Sequence, residues 1–136
     1  MPDNGLITIA SAHTARETME RLLAALTAHN MTVFARVDHA AGAASAGLSL
    51  RPTEVVLFGN PKGGTALMQD RQTAGIDLPL KALVWEDEAG KTQLSYNDPQ
   101  WIAQRHGLGA QSAGPVAAMT KALQEIAKTA TEDRPL

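Results

Sequence analysis

The segment from Gly5 to Ala10 carries Leu6, Ile7 and Ile9 ahead of a polar Ser11-Ala12-His13-Thr14 stretch, which predicts a first strand and a turn. The period then changes. Met19, Leu22, Leu23 and Leu26 recur at i, i+3, i+4 and i+7, one stripe of a helix, and Thr14-Ala15-Arg16-Glu17 is a capping box at its start. In such a box Thr14 accepts from the Glu17 amide while the Glu17 carboxylate reaches back to the Thr14 amide. His29-Asn30 ends the helix. Met31 to Asp38 alternates, with Met31, Val33, Ala35 and Val37 on one face and Thr32, Phe34, Arg36 and Asp38 on the other, the pattern of a half-buried strand.

Asp38 predicts the cap of a short Ala-rich helix over His39 to Ala46 that Gly47 stops. Glu54 to Gly59 contains the unbroken apolar run Val55-Val56-Leu57-Phe58, which suits a central strand buried on both faces. Asn60 as cap and Pro61 at the first helical position predict a helix to about Gln72, with Leu67 and Met68 inward. Leu80 to Glu86 and Thr92 to Asn97 read as an antiparallel hairpin around Glu88-Ala89-Gly90-Lys91. Asp98 or Asn97 caps a helix carrying Trp101 and Ile102 to a stop at Gly107, and Gly109 to Gly114 reads as a loop. Pro115 then opens a last helix through Val116, Met119, Leu123 and Ile126 to Lys128, with a frayed end from Thr129.

This order, with one close hairpin, predicts an α+β fold: a small mixed or antiparallel sheet with helices packed mainly on one face, in two layers. Residues 6–130 are expected to form one domain between tails at 1–5 and 131–136. Its core is expected to include Ile9, Leu22, Leu26, Val33, Val55, Leu57, Leu83 and Val84.

Composition narrows the function classes. The chain has 136 residues, 44% hydrophobic and 19% charged, enough for a single core. Twelve basic against fourteen acidic residues give a net charge of −2 with the signs interleaved, so no basic field attracts a phosphate backbone and nucleic acid is not an expected partner. No apolar run approaches membrane-spanning length and Met-Pro-Asp-Asn-Gly has no leader pattern, so no membrane association is expected. The expected compartment is the cytoplasm by default, or the periplasm if a leader has been removed. The absence of cysteine excludes disulfides, thiolate nucleophiles and cysteine-ligated metals.

Few residue patterns carry chemistry. Gly59-Asn-Pro-Lys-Gly-Gly-Thr65 lies between a predicted strand and helix, where a phosphate loop belongs, but Thr65 follows Gly64 where Walker A needs lysine. Capping by Asn60 is the simpler reading. Asp38-His39 offers an acid/base pair, and His39 with His106 and a carboxylate would hold a metal only if folding gathered them, so no metal site and no cofactor is assigned. Lys81 and Asn97 would face each other across the open end of the hairpin. Trp85 and Trp101 read as core or interface anchors, and none of Ser11, Ser45, Ser49 or Ser95 lies in Gly-x-Ser-x-Gly.

The segments Phe34-Ala-Arg-Val-Asp-His-Ala-Ala-Gly42, Leu57-Phe-Gly-Asn-Pro-Lys-Gly-Gly-Thr65, Gly75-Ile-Asp-Leu-Pro-Leu-Lys-Ala-Leu-Val-Trp-Glu-Asp87, Leu94-Ser-Tyr-Asn-Asp-Pro99 and Gln104-Arg-His-Gly-Leu108 occur in an order that resembles the domain-of-unknown-function family 302. The likeness spans about residues 6 to 130. It implies a small α+β fold, frequently a homodimer and often behind a signal peptide, with no established activity. Asp38, His39, Asn60, Lys81 and Asn97 fall in or beside these segments at predicted element ends, so they are expected to share a cleft that binds a small molecule or anion. Two alternatives stay open: an enzyme using Asp38 and His39 as an acid-base pair, and a protein-protein assembly module.

Overall fold

A computed structural model describes residues 4–136. Strand β1 (Leu6–Ala10) leads to helix α1 (Ala15–Ala28), which starts where the Glu17 amide donates to Thr14 Oγ1 at 3.1 Å. Only this half of the capping box forms as written; the Glu17 carboxylate stands 3.5 Å from His13 Nδ1. Then follow β2 (Thr32–Asp38), α2 (His39–Ser45), β3 (Thr53–Gly59), α3 (Pro61–Asp70) and a 3-10 helix (Gln72–Asp77). The hairpin β4 (Leu80–Glu86) and β5 (Thr92–Asn97) precedes α4 (Pro99–His106) and α5 (Ala110–Thr131). Asp38, Asn60 and Asp98 each cap the helix that follows, accepting from Ala41 N, Lys62 N and Gln100 N respectively.

The five strands form one antiparallel sheet in the order β1-β5-β4-β3-β2. The α+β expectation holds, and the sheet is antiparallel throughout. Because opposed residues in an antiparallel pair share a face, the register sorts the side chains. Ile7, Ile9, Val56, Phe58, Leu80, Ala82, Val84, Leu94 and Tyr96 face the helices and enter the core with Leu22, Leu26, Leu67, Ile102, Leu123 and Ile126. The other face carries Leu6, Thr8, Val55, Leu57, Lys81, Leu83, Trp85, Ser95 and Asn97.

That sorting corrects the central-strand reading. The run Val55-Val56-Leu57-Phe58 is not buried on both faces: Val56 and Phe58 are fully buried, whereas Val55, Leu57 and also Leu83 are half-buried on the second face. A helical layer covers one side of the sheet only, so alternate residues of even an all-apolar strand stay partly wet. Trp85 shields part of that second face, donating from Nε1 to Ser95 Oγ at 2.9 Å, while Ser95 Oγ pairs with Thr8 Oγ1 at 2.8 Å.

The edge strand β2 departs from its expected alternation. The register passes from Val33 opposite Phe58 to Ala35 opposite Leu57, leaving Phe34 as an extra residue in a bulge. The bulge splits the predicted set, putting Val33 on the helical side and Ala35 and Val37 on the other. Val33 is 38% exposed, so it is an edge residue rather than core.

The last helix differs at both ends. It begins at Ala110, five residues before Pro115, because Asp70 Oδ2 accepts from Gly109 N at 2.8 Å and from Ser112 Oγ at 2.7 Å. A carboxylate from α3 thus supplies the cap that Gly109 lacks, and Pro115 forgoes a single amide donor inside the helix. The end does not fray after Lys128. Ala130 and Thr131 are buried, Ala12 N donates to Thr131 O, Arg21 donates to Thr129 O through Nη2 at 2.7 Å, and the His13 ring bonds Glu132 O. Helix α3 ends at Asp70, before the expected Gln72, and Met68 is half-exposed, not inward.

Candidate functional site

Phe34, the bulged residue, lines an apolar hollow at the surface. This hollow of about 310 Å³ opens where β2 and β3 meet α3, with walls from Phe34, Met68, Leu78, Pro79, Leu80 and Met119. Its rim and floor come from Gly59, Asn60, Pro61, Gly64, Thr65 and Gly75. The sequence shapes this space through small residues. A Cβ at Gly63 would lie 2.9 Å from Met119 Cε, so the bare α3 backbone admits the Met119 thioether, and a Cβ at Gly75 would press on Met68 Sδ at 3.2 Å. Both methionines are flexible, polarizable liners that can adjust to an occupant.

A second concavity, about 460 Å³, lies where α1 leaves β2 and β3 uncovered, lined by Arg16, Met19, Glu20, Arg36, Asp38 and Glu54. Its charges answer one another. Arg36 grips Glu54 through Nε at 2.9 Å and Nη2 at 3.1 Å, and the paired carboxylate holds the guanidinium more firmly in its charged form. The Asp38 carboxylate is engaged with Ala41 N. This groove offers a ligand fewer unpaired partners than its size suggests.

The five residues expected in one cleft do not share one. Asn60 lines the apolar hollow and Asp38 the charged groove. His39 is exposed at the first position of α2. Lys81 and Asn97 lie on the second sheet face, one step beyond the paired Ala82 and Tyr96, so the structure does set these two side by side. Asn60, Lys81 and Asn97 thus sit at one end of the sheet and Asp38 and His39 at the other, ~20 Å away along β2. The shared-cleft expectation fails because neighbouring antiparallel strands present their ends at opposite edges, which motif order along the chain does not reveal. Among the described residues no group of three or more His, Asp or Glu is arranged to hold a metal, and His106 is engaged by Asp77 and Thr73, away from His39.

The residues missed by sequence reasoning are the apolar ones. Phe34, Met68 and Met119 read as a polar-face exception and two core residues, and only the bulge and the α3–α5 packing bring them to one hollow. Trp101 is an anchor, as expected: it packs on Gly5, where a Cβ would lie 2.5 Å from its ring, and Arg105 lies over it at 5.8 Å.

Comparison with known proteins gives the family and the fold. The family described as "Domain of unknown function DUF302" matches residues 7–127. A solved structure of an uncharacterized conserved DUF302 protein from Bacillus stearothermophilus shares the fold with a TM-score of 0.83 at 19% identity, over 94% of this chain and 99% of that one. Proteins named "Fluoride-specific ion channel FluC 1" from Brucella suis and Brucella abortus are 51% identical over 131 residues, 96% of this chain and 52% and 48% of their own lengths. The chain therefore spans about half the length of these relatives. Among the described residues no helix is long and apolar enough to cross a membrane.

Proposed function

Because this chain belongs to the family of the domain of unknown function DUF302, which brings a fold and no assigned activity, we propose its function from its own geometry: it binds a small, mainly apolar molecule in the hollow beside α3. The observation that carries this reading is the hollow itself. Its volume of about 310 Å³ lies at the lower end of ligand sites, and its lining pairs aromatic, aliphatic and thioether walls with the polar rim of Asn60 and Thr65. Such a lining favours an organic molecule with one polar end over a bare hydrated ion, which would lose its water for few replacement partners.

The test uses 1-anilinonaphthalene-8-sulfonate, an apolar body with an anionic end. Gly64 is helical and a Cβ there would stand 3.9 Å from Leu78 Cδ1, so Gly64→Leu fills the hollow without losing a side-chain contact. Saturable probe fluorescence that drops at least tenfold in affinity in Gly64→Leu, with an unchanged melt, supports the reading. Equal binding by both proteins removes it.

The 51% identity to half of two proteins named as fluoride channels supports a second reading, that this domain works beside a membrane channel as its accessory part. Fluoride release from vesicles holding a full-length relative, compared with the same relative lacking the matched half, tests it. Identical rates, with and without this domain added back, would end it.

A further inference from the structure

On the 3-10 helix whose Gly75 also lines the hollow, and on the neighbouring α4, three side chains from two elements form a line. His106, at the end of α4, places Nε2 2.6 Å from Asp77 Oδ2 and Nδ1 3.1 Å from Thr73 Oγ1. The imidazole side chain is 7% exposed and the Asp77 side chain 13%, while Thr73 stands exposed at the start of the 3-10 helix. Arg105 completes the set, donating from Nη1 to both Asp77 oxygens at 3.0 and 3.1 Å.

We propose that Thr73, His106 and Asp77 act as a hydroxyl–imidazole–carboxylate relay that accepts acyl groups from small activated esters on Thr73 Oγ1. An ionised carboxylate can only accept, so Nε2 carries a proton, and in the relay the ring acts in its neutral form, with Nδ1 accepting from the Thr73 hydroxyl. That is the arrangement in which a base activates a hydroxyl and a third group orients the base. Asp77 and Arg105 are positioning residues: the guanidinium fixes the carboxylate, and the carboxylate fixes the tautomer and tilt of the ring. The ring's second nitrogen is met by an exposed hydroxyl, the one member of the line that a small reactant can reach from solvent.

The chemistry balances with water as the second reactant. The Thr73 Oγ1 proton passes to His106 Nδ1 as Oγ1 bonds the ester carbonyl carbon. The carbon–oxygen bond to the leaving group then breaks, and Nδ1–H returns the proton to the departing oxygen. Water next attacks the acyl-threonine, giving one proton to Nδ1, which restores it to Oγ1 as the carboxylic acid leaves. Thr73 is open to solvent rather than enclosed, so the donors that suit it are small esters whose leaving groups need little assistance.

The experiment treats the whole chain with para-nitrophenyl acetate and follows acetylation of each site by peptide mass spectrometry. Thr73 is expected to acetylate faster than any other hydroxyl, and His106→Gln to slow it by roughly 100-fold or more, the scale of general-base assistance. Asp77→Asn is expected to slow acetylation and alter its pH profile, and Thr73→Ser to remain reactive. If Thr73 reacts no faster than other exposed threonines, or reacts equally in a folded His106→Gln protein, the relay does not exist. Should His106→Gln fail to fold, Thr73→Ala decides: acetate release undiminished in that variant overturns the proposal.

Discussion

Asp70 Oδ2 accepts a 2.7 Å hydrogen bond from Ser112 Oγ, 42 residues along the chain, so the last residue of one helix caps the start of another. The Ser112 hydroxyl and then the Gly109 amide favour the ionised carboxylate and hold Asp70 below its ordinary value of 3.8. A depressed carboxylate contributes stability that is present above the unfolded value and is lost as pH falls through the folded one. Urea midpoints are therefore expected to drop between pH 5 and pH 2.5, and Asp70→Asn to flatten that part of the profile. An unchanged slope in the variant would show that other carboxylates carry the acid sensitivity.

The two-sidedness of β3 has a direct mutational signature. Phe58→Ala, at a fully buried site, is expected to cost about 3–5 kcal/mol, whereas Leu57→Ala on the half-buried face costs roughly 1 kcal/mol. Chemical denaturation of both variants checks this, and equal losses would place Leu57 in a second core.

The end of α5 depends on Arg21. Its Nε and Nη2 both donate to Thr129 O, at 3.1 and 2.7 Å, and Arg21→Ala is expected to destabilise by about 1.5 kcal/mol or more. Hydrogen exchange should speed up first at Ala130 and Thr131. Uniform protection in the variant would mean that Ala12 and His13 hold this end without help.

The sheet face opposite the helices carries Val55, Leu57, Leu83 and Trp85, with Leu6 55% and Val37 44% exposed at its margins. We propose that a second copy of the chain covers this face, because aligned sheets pack well through such surfaces. Light scattering is expected to give a dimer mass that reverts to monomer in Leu57→Glu/Leu83→Glu. A monomer at all micromolar concentrations ends the proposal.

Much of the fold was legible from the amino-acid sequence because its signals are local. Thr14, Asp38, Asn60 and Asp98 cap helices through bonds to amides two or three residues away, and Asp87 and Gly90 close the hairpin within its own turn. The stripe Met19, Leu22, Leu26 needed only the helical period to find the core. What the tertiary structure decided depends on partners far along the chain. The start of α5 rests on Asp70, its end on Arg21 and His13, and the placing of Phe34 on a one-residue slip against β3. A strand's alternation gives two faces without saying which one a helix will cover, so Leu57 and Phe58 looked equivalent until the helical layer buried one of them. The candidate sites follow the same rule: Asn60 was visible as a cap, but the hollow beside it exists only because Met68, Met119 and the bulged Phe34 converge from three separate elements.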